Sequence, residues 1–145
     1  MSEPENYEDH LARTDLFSGL SRRTLKKLSS RSRVVEHDTG HRIAEEGLGA
    51  LAFHLVLDGA ASVSHGGQRI RTLGPGDYFG EMSVIDGKPR SADVEATEPL
   101  RTLVVPYQVF QELLDSEPTF TRALLDLLCS RLREAESRQP AGDGG

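Results

Sequence analysis

Residues 73–96 read LGPGDYFGEMSVIDGKPRSADVEA. The stretch opens on a turn signal, Gly74-Pro75-Gly76-Asp77, and closes on a strand from Ser91 to Ala96 in which Asp93 alternates outward with Ser91 and Glu95. Between them stand a Gly80-Glu81 pair and, nine residues after Glu81, the Arg90 of a Pro89-Arg90-Ser91. The segment therefore interrupts two strands with a short insert that carries a carboxylate and a guanidinium.

Working outward, the same texture continues on both sides. Short apolar runs occur at Arg33–Glu36, His41–Ala44, Ala52–Leu57, Ala60–Val63, Arg69–Leu73, Ser91–Ala96 and Leu100–Val105. Asp38-Thr39-Gly40, Glu46-Gly47, Asp58-Gly59 and Gly66-Gly67 punctuate them. Strands this short, spaced by turns, indicate an antiparallel sandwich or barrel. The ends of the chain read differently. Leu11, Leu16, Phe17, Leu20, Leu25 and Leu28 recur near helical spacing over His10–Ser30, with a break at Ser18-Gly19 and Ser21 as an N-cap. Tyr107–Leu114 forms a short helix. Pro118 suits the first turn of a longer one reaching Arg138, about 30 Å at 1.5 Å per residue. Its apolar stripe is Phe120, Leu124, Leu127, Leu128 and Leu132, widened by Leu125. Residues 1–9 are polar and acidic and are expected to be disordered; 139–145 are Pro/Gly-rich and form a flexible tail. The folded unit is 10–138.

Composition narrows the function. The chain has 145 residues and a net charge of -6, a poor match to the basic surface that a nucleic-acid binder needs. No apolar run approaches membrane-span length, and the polar N-terminus is not a signal peptide. Cys129 is the only cysteine, which fits a reducing, cytoplasmic setting without structural disulfides. No nucleophile–base constellation is present, so the chain is not expected to be an enzyme.

The Glu81/Arg90 insert has two readings from its residues alone. In one, the pair closes a surface loop as an exposed ion pair, worth roughly 0–1 kcal/mol. In the other, a helical turn starting at Gly80 presents backbone N–H groups that favour an anion. Arg90 adds a planar fork of donors for phosphate, with Pro89 stiffening its approach. Glu81 would repel phosphate but would accept from a hydroxyl on the same ligand, so a sugar phosphate satisfies both groups.

Phe79-Gly80-Glu81 followed by Pro89-Arg90-Ser91-Ala92 resembles the phosphate-binding cassette of the cyclic nucleotide-binding domain family. That family includes regulatory domains of cAMP-dependent kinases, nucleotide-gated channels and bacterial catabolite-activator regulators. Gly47 followed by AFHLVLDGAASV (Ala52–Val63) resembles the family's glycine turn and central strands, and LGPGDYFGE its approach to the cassette. The resemblance spans roughly residues 11–138. It implies a mainly β fold with flanking α: an antiparallel, jelly-roll-like β-roll with N-terminal helices, a short cassette helix and C-terminal helices. It implies that Arg90 pairs with the cyclic phosphate and Glu81 with the ribose 2′-hydroxyl. Backbone N–H groups of Gly80, Met82, Ser83, Ser91 and Ala92 would complete the cradle, and Ser91 could add its hydroxyl. The implied ligand is cAMP, with cGMP possible. Base-capping candidates are Arg133, Glu134 and Glu136 near the C-terminal helix end.

The function so implied is a cyclic-nucleotide sensor, without an attached effector domain, that signals by rearranging its C-terminal helices. Its partners would be the nucleotide and an unidentified effector protein, with no nucleic acid and no membrane, as a monomer or weak homodimer. The alternative is a protein-interaction module that keeps the fold without the ligand. Other features read blandly. His37, His41, His54 and His65 match no zinc spacing, and alternation scatters them over both strand faces as surface residues. The basic run Arg22, Arg23, Lys26, Lys27, Arg31 and Arg33 reads as a solvated helix face. Cys129 falls on the apolar side of the last helix, as packing.

Overall fold

The computed structural model describes residues 7–44, 52–80 and 92–137. The tails outside these limits, Gly47, and most of the cassette lie outside the described residues.

Two helices come first, α1 (Glu8–Ala12) and α2 (Arg22–Ser30). Helix α1 starts inside the segment expected to be disordered, because Tyr7 is held: its backbone N–H donates to Ser29 Oγ at 3.1 Å. The expected N-cap is present, with Ser21 Oγ accepting from Thr24 N at 3.2 Å. The strands are β1 (Arg33–His37), β2 (Arg42–Ala44), β3 (Ala52–Asp58), β4 (Ala61–His65), β5 (Gln68–Leu73), β6 (Tyr78–Phe79), β7 (Asp93–Ala96) and β8 (Leu100–Pro106). Helices α3 (Tyr107–Ser116) and α4 (Pro118–Ser137) close the described chain.

The described strands form two four-stranded antiparallel sheets, β1-β8-β3-β6 and β2-β7-β4-β5. They face each other around Val56, Ala61, Val63, Leu73, Phe79, Val94, Ala96 and Leu100. The outer face of the first sheet carries Phe53, Leu55, Leu57, Leu103 and Val105, which pack under all four helices. This two-sided burial explains why β3 is buried without a break from Phe53 to Leu57, where strict alternation would be expected of a strand wet on one face. Phe17, Phe53, Phe110 and Phe120 are fully buried and join the N-terminal segment, β3, α3 and α4. Their ring centroids lie 5.1–5.5 Å apart in the pairs 17–53, 17–120, 53–110 and 110–120. Outside this core, a bidentate Arg31–Glu112 pair at 2.8 and 2.9 Å clips α2 to α3, and Arg22 reaches Asp9 at 3.0 Å.

Helix α4 differs from its expected stripe. Phe120 and Leu124 are buried and Leu127 and Leu128 pack on the core, but Leu125 is 54% and Leu132 63% exposed. Cys129 is exposed rather than packed. Helical spacing places side chains on a face but does not say how much of that face the body covers.

One backbone position is fixed sterically. Gly59, in the β3–β4 turn, has φ +91°, and a Cβ there would collide with the Pro99 carbonyl oxygen. Gly59→Ala is therefore expected to cost about 1–3 kcal/mol, read as a lowered urea midpoint at unchanged slope. Gly40→Ala, at φ +88° with open space around its Cβ, is expected to cost less.

Candidate functional site

The cassette is bracketed by elements of opposite sheets. It leaves β6, which pairs with β3 through His54↔Phe79 and Leu55↔Tyr78 in the first sheet. It returns into β7, which pairs with β4 and β2 in the second. Of the expected ligand residues, Gly80 and Ala92 are at these two ends; Glu81, Met82, Ser83, Arg90 and Ser91 lie outside the described residues. Gly80 has φ +90°, so the chain turns out of β6 in a conformation that a side chain would resist. Ala92 packs against the inter-sheet core. Asp93 lies opposite Ser64 and shares a face with Glu95, while Val94 and Ala96 point into the core, as the alternation required.

Strand β6 was not legible, since two residues between turn signals carry no periodicity. Its side chains go to opposite faces: Phe79 enters the inter-sheet core and Tyr78 packs under the helices. The guanidinium of Arg131, on α4, sits 5.9 Å from the Tyr78 ring centroid. Burial lowers the Arg131 pKa, and nearby Arg71 lowers it further; burial raises that of the Tyr78 phenol. Arg131 thus links the long helix to the strand that feeds the cassette. The base-capping candidates Arg133, Glu134 and Glu136 lie further along α4 and are exposed. A signal for Arg131 was available: it lies three and four residues beyond Leu128 and Leu127, on the body-facing side of the helix.

The histidines also depart from expectation. His37 and His54 are buried, and both face the space between the sheets. They share one hydroxyl: Thr102 Oγ1 is 3.3 Å from His37 Nε2 and 3.2 Å from His54 Nδ1. His41 stacks on His37 with centroids 5.3 Å apart, and His54 stacks on Phe79 at 4.6 Å and 6°. Alternation was applied within each strand, whereas the register brings His37 and His54 together from strands on either side of β8. His41, just before β2, and His65, at the end of β4, are exposed, as expected of surface residues. Among the described residues no group of three or more His, Cys, Asp or Glu could hold a metal ion.

Desolvation, and then His41, lower the His37 pKa. The fold therefore favours neutral His37, and the unfolded chain binds the proton more readily below about pH 6.5. This contribution to stability is complete above that pH and is lost as pH falls through the folded-state value. Urea midpoints should drop on acidification through this window, and His37→Gln should flatten the drop.

Comparison with known proteins matches this architecture. The cyclic nucleotide-binding domain family matches residues 34–117. A CRP-like cAMP-activated global transcriptional regulator of Mycobacterium tuberculosis is 24% identical over 90% of this chain and 60% of its own. A cAMP-dependent protein kinase regulatory subunit of Debaryomyces hansenii is 32% identical over 74% of this chain and 24% of its own. The chain thus spans three-fifths or less of the length of these relatives. Among solved structures, the Thermus thermophilus catabolite activator protein superposes with a TM-score of 0.76 at 31% identity, covering 85% of this chain and 60% of that one. The sensor domain of the Pseudomonas aeruginosa regulator DNR shares the fold, with a TM-score of 0.79 at 22% identity over 92% of this chain and 93% of that one. From the matched β-roll and the motif at its centre, the chain belongs to the cyclic nucleotide-binding domain family.

Proposed function

We propose that this chain is a non-enzymatic cyclic-nucleotide sensor whose ligand is cAMP. The observation that carries the reading is the nine-residue Glu81-to-Arg90 spacing in a segment that leaves one sheet at Gly80 and re-enters the other at Ala92. In this reading Arg90 pairs with the cyclic phosphate and Glu81 accepts from the ribose 2′-hydroxyl. Backbone N–H groups of Gly80, Met82, Ser83, Ser91 and Ala92 line the cradle, and the Ser91 hydroxyl assists. The names of the mycobacterial and yeast relatives, cAMP-activated and cAMP-dependent, favour cAMP over cGMP.

The output follows from the Tyr78–Arg131 contact. Tyr78 is two residues ahead of Gly80, so a ligand that draws the cassette inward pulls on a ring that α4 holds. Ligand affinity that differs between two settings of α4 is then enough to shift their populations. Residues 10–138 act as the sensing unit, joined by Tyr7, Glu8 and Asp9 at the start of α1. The chain works in the cytoplasm as a monomer or weak homodimer, passes its state to an effector protein, and binds neither nucleic acid nor membrane. No helix among the described residues is long and apolar enough to cross a membrane.

Titration calorimetry tests this directly. Saturable cAMP binding is expected, with cGMP weaker. Arg90→Ala should weaken it by roughly 10- to 100-fold, as loss of a charge-assisted hydrogen-bonding partner does, and Ser91→Ala by only a few-fold. No saturable binding of either nucleotide at millimolar concentration would leave the fold as an interaction module instead.

A further inference from the structure

The His37–Thr102–His54 chain runs from β1 across β8 to β3 and ends on Phe79, the residue before Gly80. It is closed off from water: Thr102 is 0%, His54 8% and His37 9% exposed. A threonine hydroxyl has one proton to give and lone pairs to accept with. While both imidazoles are neutral, that proton can point to either ring, with the other ring donating back to Oγ1. Protonation of His37 removes this freedom. Both of its nitrogens then donate, Oγ1 must accept from Nε2, and of the two rings only His54, at Nδ1, is left to accept the hydroxyl proton. The proton comes from solvent and stays on His37; what travels is the direction of the hydrogen bonds and a positive charge placed between the sheets. Such a charge is costly where apolar side chains surround it.

The groups that face His37 make this one-sided. From the turn after β1, His41 stacks on its ring; from β8 and β3 come Thr102 and His54. Glu36 and Asp38, its sequence neighbours, are exposed, and Arg101 on β8 is paired with Asp58 at 2.7 Å. No described carboxylate acts on His37, and the titratable group that does, His41, repels the proton.

We propose that His37 is a proton sensor coupled to the cassette: its protonation, transmitted through the Thr102 hydroxyl and the His54 ring to Phe79, loosens the root of the cassette and weakens ligand binding in mild acid. The proton is then a second input to the same site. The inference rests on the cyclic-nucleotide reading only for its ligand arm; the coupling of His37 to Phe79 is a property of the free chain.

The test uses the full chain without and with cAMP. In the free chain, NMR from about pH 7.5 to 4.5 spans the ordinary His value of about 6.5 and the lower range into which burial moves His37. The Phe79 and Gly80 amide signals should follow the His37 ring titration. Thr102→Val, which removes the hydroxyl at nearly constant shape, should leave His37 titrating while Phe79 and Gly80 no longer respond. With cAMP, affinity should fall on acidification over this range by up to about tenfold, the limit set by a one-unit pKa difference at a single group. His37→Gln, which cannot take the charge, should bind equally at both ends of it. Amide signals of Phe79 and Gly80 that ignore the His37 titration overturn the proposal, as does an unchanged pH dependence of affinity in His37→Gln. Absence of cAMP binding at every pH would sink the ligand assignment, and the NMR arm would still decide the coupling.

Discussion

Strand β3 is buried on both faces, and the rest of the molecule is arranged around that requirement. Phe53, Leu55 and Leu57 need the helices on one side; Val56 needs the second sheet on the other. Neither sheet nor helices could be removed without exposing a row of large apolar side chains to water, at roughly 25 cal/mol for each Å² uncovered. Phe53 is the tightest point, in ring contact with Phe17, Phe110 and Tyr78. The N-terminal segment, the C-terminal helices and the strand that feeds the cassette thus meet on one side chain.

The cassette is attached to this frame in an unusual way. Its entry strand is two residues long and puts one ring into each core, Phe79 between the sheets and Tyr78 under the helices. A displacement of the cassette root cannot be confined to one layer. Through Tyr78 it reaches Arg131 and α4; through Phe79 it reaches His54 and the buried hydroxyl of Thr102. A fold built for packing alone would gain little from two imidazoles on one hydroxyl, where apolar residues of similar volume fill the space without a polar group to satisfy.

Much of this was legible in the sequence, for definable reasons. The strands from Arg33 to Val105 announced themselves because turn residues cut them to length, and Ser21 capped α2 as its chemistry dictates. The Glu81/Arg90 motif pointed to the family because its spacing is specific. What stayed hidden depends on register and coverage. His37 and His54 meet only because β8 sets the pairing of two strands far apart in sequence. Leu125, Leu132 and Cys129 were assigned to packing because periodicity gives direction but not what lies beneath. The contact of Arg131 with Tyr78 was not foreseen, although Arg131 continues the face of Leu127 and Leu128.

The exposure of Cys129 has a practical side. It is the only thiol in the sequence and lies on α4 two residues before Arg131. A maleimide dye or spin label would therefore attach at one place, without any background cysteine to remove. That place is on the helix whose Arg131 sits over the Tyr78 ring of β6, and its side chain is outside the packed core. The sequence thus comes with a single chemical handle, on the long helix and within two residues of its contact with the strand that feeds the cassette.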